Sequence, residues 1–355
     1  MKNLLVKLLK YLTKNEEQAV IFQPEPQQGN EENQPEVQII PPIAIEEPKK
    51  QESTPKKEVG ETKLVDESKK KAKKPKKGGT LTTDLRDIRD VMELMEVPFV
   101  ALSKNRTEPI NYESLDGTVK VKISCHSNHY LASIYDWDII LFVASKMQEI
   151  INSKKDIPPR TLIIPRHELL KAIFKHEGKI NRKQMEESLA RLQLTGIETT
   201  IRNEDYRYRG GFGFLDSWGY TERKDIKEFQ ITLSQWLYDG ICRNGSLLKV
   251  RPEYFKITSG IKKFLYRTAR KHVGNQNKSW DFLIETIYEK SGSEREFKKF
   301  KHDLKKAVSD NDIPAYLMDW VEKDGKTYVR FINARKEIEK MLSEPVDSQP
   351  SLPFI

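Results

Sequence analysis

The sequence predicts an α+β protein in which a helix-turn-helix followed by a β-hairpin occurs twice in tandem, behind a disordered N-terminal arm. Three observations predict it. The first 79 of the 355 residues hold only two aromatics, Tyr11 and Phe22, whereas nearly all Trp, Tyr and Phe fall in residues 80–340. Within that richer part, apolar spacing switches between the two-residue period of strands and the 3.6-residue period of helices, in an order that repeats. Each helical run then closes on two short β-like segments separated by a turn.

Composition bounds the rest. Lys and Arg number 62 against 53 Asp and Glu, a formal charge of +9, and hydrophobic residues make up 37%. A globular part of about 260 residues, two domains in size, attached to an unfolded arm accounts for that low hydrophobic share. No run approaches the roughly 18–20 consecutive apolar residues of a membrane helix, and the N-terminus lacks a small-residue cleavage site, so a cytoplasmic protein is expected. Cys125 and Cys242 stand far apart, which excludes a disulfide framework and a four-cysteine zinc site.

Residues 1–79 form the arm. From residue 15 onward it runs through PEPQQ, EEPKKQE and ESKKKAKKPKK, compositions that bury too little apolar area to offset chain entropy. Its last block has seven lysines between Lys69 and Lys77 and is read as a solvated charge run, with phosphate contact as the alternative. Ahead of it, Leu4, Leu5, Leu8, Leu9 and Leu12 share one helical face, as in a short segment that docks on a partner or a membrane surface.

The first globular unit is placed at residues 95–225. Val119, Val121 and Ile123 alternate as a strand, and residues 131–135 read as a second. Asp136 is positioned to cap a helix carrying Trp137, Ile140, Leu141, Ala144, Met147 and Ile151. A strand at 161–164, a helix with Leu169, Leu170 and Ile173 inward, a break at Gly178 and a helix over 181–194 follow. Residues 197–201 and 212–215, around a ten-residue loop from 202 to 211, read as a hairpin. Helix-turn-helix plus hairpin is the winged-helix pattern.

The second unit, residues 226–335, repeats it. Phe229, Ile231 and Leu233 alternate as a strand, Ser234 caps a helix through Gly240, and LLKV at 247–250 is strand-like. Three helices follow, with Ile261, Phe264, Leu265 and Thr268 inward in the first. Phe282, Leu283, Thr286 and Ile287 face inward in the second, and Phe297, Phe300, Leu304 and Val308 in the third. Ser293 with Glu296 has the spacing of a capping box. Residues 316–321 and 327–331, around Lys323-Asp324-Gly325-Lys326, close a second hairpin, and residues 336–355 are left as a tail.

A helix that reads DNA keeps one apolar face inside and presents Arg, Lys, Asn or Gln outside, because base edges and phosphates are met by those donors. In the first unit Asn181, Arg182, Lys183 and Gln184 open the third helix and Arg191 lies further along it; Arg202, Arg207 and Arg209 lie in the wing loop, interleaved with Tyr206 and Tyr208. In the second unit Arg295, Lys298, Lys299, Lys301, Lys305 and Lys306 oppose only Glu294, Glu296 and Asp303. The helix at 260–272 adds Lys262, Lys263, Arg267, Arg270 and Lys271 without an acid, which predicts phosphate contact; a solvated face is the alternative.

Catalytic motifs fail, so no enzymatic activity, catalytic residue, metal or cofactor is expected. Gly325-Lys326-Thr327 resembles the end of a phosphate loop, but Trp320 stands where that loop needs its first glycine. Cys125, His126 and His129 lack the second ligand pair of a zinc site. Two residues, Ser127 and Asn128, separate those histidines, where a rolling-circle nickase has one apolar residue.

Five blocks in sequence carry a resemblance: VPFVALSKNR at 97–106, YDWDIILFVASKM from Tyr135, ESLARLQLTGIETTI at 187–201, ITLSQWLYDGI at 231–241 and FLYRTARKH at 264–272. Together they resemble the plasmid replication initiator protein A family. The resemblance implies a bacterial protein, associated with plasmid and nucleoid, that binds direct repeats in double-stranded origin DNA and helps open the origin. It also implies recruitment of host helicase or initiator proteins, and no enzymatic activity. A homodimer is a further expected state. Separately, Gln349, Leu352 and Phe354 fall in the order Q-x-x-L-x-F, similar to short peptides that bacterial replication factors insert into the sliding clamp, so the host clamp is an expected partner. The alternatives are a winged-helix transcriptional repressor acting on its own promoter and, more distantly, the nickase.

Overall fold

The computed structural model describes residues 87–125, 128–154, 157–174, 179–202, 211–224, 226–243, 245–276 and 279–343. The expected N-terminal arm therefore lies outside the described residues, as do Arg207, Arg209, His126 and the tail residues Gln349, Leu352 and Phe354. All described residues belong to one compact unit.

Strand β1 (Ile88–Val91) opens the fold, followed by a 3-10 turn (Met92–Met95) and strands β2 (Ile110–Glu113) and β3 (Lys120–Ser124). The first helical run is α1 (Trp137–Lys154), β4 (Thr161–Pro165), α2 (Arg166–Phe174) and α3 (Lys179–Leu194), then β5 (Gly196–Thr199), β6 (Leu215–Arg223) and β7 (Ile226–Leu233). Helix α4 (Gln235–Cys242) and strand β8 (Leu247–Val250) lead to the second run. This comprises α5 (Gly260–His272), β9 (Trp280–Leu283), α6 (Ile284–Ser291), α7 (Phe297–Asp310), β10 (Tyr316–Lys323) and β11 (Lys326–Asn333), and α8 (Ala334–Ser343) follows.

The two runs share one topology. In each, the strand between the first two helices pairs with the last strand of the closing hairpin, giving antiparallel orders β4-β7-β6 and β10-β11-β9. Sheets β2-β3-β5 and β1-β8 complete the set. Helix α1 buries Trp137 and residues 139–144 at the centre of the core. Ser234 caps α4 by accepting from the Leu237 N–H at 3.4 Å. Asp324 and Gly325 take φ of 51° and 70° at the tip of the β10–β11 hairpin, two positive values in a row, as a two-residue turn of primed type requires. Gly292 ends α6 at φ 58°, where an added Cβ would stand 2.6 Å from the Pro98 Cβ.

Several sequence expectations are corrected. Residues 131–135 form no strand; they run as buried irregular chain held by bonds such as Leu131 N–H to the Arg106 carbonyl and Ala101 N–H to the Ala132 carbonyl. Asp136 turns its carboxylate to Ser133 and Arg191. The first hairpin is displaced along the chain. β5 pairs with β3 and touches Phe212 only through the Ile197–Phe212 bridge, while β6 pairs with β7, so the expected boundary at 225/226 falls at a hairpin tip. Phe282 and Leu283 belong to β9 and precede the helix. No capping box forms at Ser293: α7 starts at Phe297, Glu296 makes no side-chain cap bond, and the Ser293 hydroxyl accepts from the Arg295 N–H.

Buried ion pairs fasten the two runs together. Arg267 on α5 donates to Asp90 of β1 at 2.7 Å, and the Trp137 indole donates to the same carboxylate at 2.9 Å. One residue into α1, Asp138 accepts from Lys263 at 2.7 Å on both oxygens. Burial pushes Asp138 up and Lys263 down, each toward its neutral form.

Candidate nucleic-acid interface

The predicted DNA-binding cations differ in how far the fold already engages them. On α5 all five are engaged. Lys263 and Arg267 are buried on Asp138 and Asp90; Lys262 lies 2.8 Å from both Asp310 and Asp312; Lys271 pairs with Glu96; and Arg270 donates to the Lys249 carbonyl. The cations expected to contact phosphate from this helix are thus already engaged within the fold. Its acids come from β1, the residue after the 3-10 turn, α1, and the end of α7 with the loop that follows, so they are invisible in its local sequence. Glu96 takes both Lys271 and Lys290; although burial opposes its charge, those two cations hold its carboxyl down at about 2.

Two further candidates are engaged within the fold. Arg191 forms a two-pronged bond to Asp136 at 2.7 and 2.9 Å and donates to Ser188. Arg202 stands 2.8 Å from Glu93, donates to the Trp236 carbonyl at 2.6 Å and lies 3.9 Å from the centre of the Trp236 ring.

The third helices keep their cations at the surface. On α3 the inward Met185, Leu189 and Leu192 are fully buried, while Lys183 is 78% exposed and Gln184 is exposed. Arg182 lies beside the hairpin, 3.2 Å from Glu222, and half-buried Asn181 precedes it. On α7 the inward face is Phe300, Leu304 and Val308. Among the described residues Lys298, Lys301 and Lys306 have no carboxylate within ion-pair distance, whereas Arg295 pairs with Asp303 and Lys299 with Glu296. Lys305 stands 5.9 Å from the Trp320 ring centre on β10. Asp281 of β9 binds Arg330 through both oxygens, at 2.7 and 2.8 Å, and Lys323 at 2.7 Å, pinning the β10–β11 hairpin. These bonds, led by that of Arg330, hold the Asp281 carboxyl down at about 2.

The displaced first hairpin also brings Arg223, Lys224 and Lys227 to a tip beside α3. The sequence reading missed them. Their signal was the charged stretch TERKD ahead of an alternating strand. Elsewhere, Cys125 donates its thiol to the His129 carbonyl at 3.0 Å, and no cluster of three His, Cys, Asp or Glu able to hold a metal exists among the described residues. Nor is any described helix long and apolar enough to cross a membrane.

A helix-and-hairpin unit used twice within one core, each unit exposing a cation-bearing helix beside its hairpin, defines a two-headed protein of mixed helix and sheet. The Replication initiator protein A family matches residues 89–318, and the chain belongs to that family. A relative from Wigglesworthia glossinidia brevipalpis, described as "Putative replication protein", is 31% identical over 224 residues, 62% of this chain and 80% of the relative. Domains 2 and 3 of RctB, in a crystal structure, superpose with a TM-score of 0.50 at 12% identity over 68% of this chain and 97% of theirs, which shows a shared fold. A second crystal structure of RctB domains 2–3 matches with a TM-score of 0.46 at 11% identity, over 70% and 99%.

Proposed function

We propose that this replication initiator is a tandem winged-helix protein that binds repeated sites in double-stranded origin DNA and brings host replication proteins to them. Helices α3 and α7 enter successive major grooves, and the β6–β7 and β10–β11 hairpins serve as wings on the flanking backbone. The observation that carries the reading is the sorting of the cations. On α5, Lys263 and Arg267 are held by buried acids, Lys262 and Lys271 by partly exposed ones and Arg270 by a carbonyl, whereas Lys298, Lys301 and Lys306 on α7 have no carboxylate within ion-pair distance among the described residues and lie beside a hairpin. A surface of that kind gains affinity by releasing the counterions of phosphates.

The protein acts without catalysing a reaction, as a cytoplasmic assembly factor. Residues 344–355, with Gln349, Leu352 and Phe354, dock on the host sliding clamp. The defining experiment is nuclease footprinting of the full-length chain on the DNA flanking its own gene. Regularly spaced, similar protected segments are expected; one isolated palindrome would assign it to promoter repression instead. Strand cleavage in magnesium, lost in His129→Ala, would overturn the non-enzymatic assignment.

A further inference from the structure

The surface assigned to DNA carries one carboxylate in the middle of its cations. Glu222, near the end of β6, stands opposite Lys227 in the ladder, with its Oε1 3.1 Å from the Lys227 Nζ. Its Oε2 accepts from the Tyr220 hydroxyl at 3.1 Å and from Arg182 Nη1 at 3.2 Å. The Arg182 guanidinium also lies 5.5 Å from the centre of the Tyr220 ring, and Glu186, one helical turn on, stands 3.4 Å from its Nε. Ring, carboxylate and neighbouring turn thus fix the plane of Arg182, while its Nη2 has no hydrogen-bond partner among the described residues.

We infer that Glu222 is a positioning residue for sequence reading: it holds Arg182 through Nη1 against Tyr220 and leaves Nη2 for a base. The inference rests on the assignment of α3 to the major groove. A long, unrestrained Arg finds phosphates, which are everywhere on the duplex and carry no sequence information. A carboxylate at the interface opposes phosphate and lowers affinity for all DNA, so its presence there lowers general binding in favour of orientation. Lys227, on the same carboxylate, is likewise kept from the backbone. A role confined to fastening hairpin to helix makes a different forecast: its loss would weaken binding to every sequence by the same factor.

The test uses the full-length chain. Wild type selects its preferred duplex from a random-sequence pool; wild type and Glu222→Gln are then titrated against that duplex and against poly(dI-dC) over a salt series. The variant is expected to bind poly(dI-dC) several-fold more tightly and with a steeper salt dependence, as Arg182 and Lys227 are released to phosphate. Its preference for the selected duplex should fall by about tenfold, the scale of one base edge no longer read, with an unchanged thermal melt. An unchanged preference, or an equal loss on both DNAs, would overturn the inference while leaving DNA reading by α3 in place. Failure of wild type to select any sequence would overturn that reading, and the inference with it.

Discussion

Lys263 and Arg267 carry the charge of a DNA-binding residue and the surroundings of a core one. Each is over 90% buried on a single carboxylate, Asp138 of α1 for Lys263 and Asp90 of β1 for Arg267. Removing one partner of such a pair strands the other charge, so Arg267→Ala should lower unfolding free energy by about 3–5 kcal/mol, read by denaturant titration, and leave the salt dependence of DNA binding unchanged. That role was not legible locally, because Asp90 lies 177 positions away. His272 gives a second residue-scale prediction. Burial among Trp280, Phe282 and the end of α5 lowers its pKa to about 4 from an ordinary 6.5. Between those values the unfolded chain takes up the proton and the folded one does not, so stability is full above pH 6.5 and falls as pH drops toward 4. His272→Phe should remove that part of the acid loss. Melting curves at about pH 7 and about pH 4.5 check it: an equal drop in wild type and variant would show that other groups carry it.

At the scale of elements, helices were legible and strand partners less so. The apolar spacing of α1, α3, α5 and α7 survives in the fold because one face of each meets the core. The β10–β11 hairpin was equally plain, since Asp-Gly with alternating strands specifies its own turn. The first hairpin was misplaced because residues 197–201 and 212–215 alternate like paired strands, but β3 supplies β5 with a partner from far earlier in the chain, as Val121 pairs with Thr199 and Ile123 with Ile197. Gly219 in the middle of β6 weakened the signal of the true strand. The displacement has a consequence for binding. With the hairpin tip at 223–227, Arg223→Ala with Lys224→Ala should reduce the salt slope of DNA binding by close to one for each phosphate the tip no longer reaches. A gel-shift salt series giving the wild-type slope would remove this hairpin from the interface.

At the scale of the whole molecule, one continuous apolar core runs through both helical runs, and β1 is stitched to β8, α1 and α5 at once through its ladder and Asp90. On the proposed reading, two heads joined in this way present a fixed spacing, which suits a duplex site read by both together. The tandem order of the elements was legible from periodicity; their joining was not, because it depends on ion pairs between distant elements. The proposed binding mode requires that α7 face DNA and α5 not. The most direct measurement is the salt dependence of binding to the chain's footprinted duplex for wild type, for Lys298→Ala with Lys301→Ala, and for Lys262→Ala. The α7 variant should bind more weakly, with its slope of log affinity against log salt reduced by about 0.9 for each phosphate left unneutralised, whereas Lys262→Ala, which loses only its pairs to Asp310 and Asp312, should keep the wild-type slope. A wild-type slope in the α7 variant, or a reduced one in Lys262→Ala, would contradict the account.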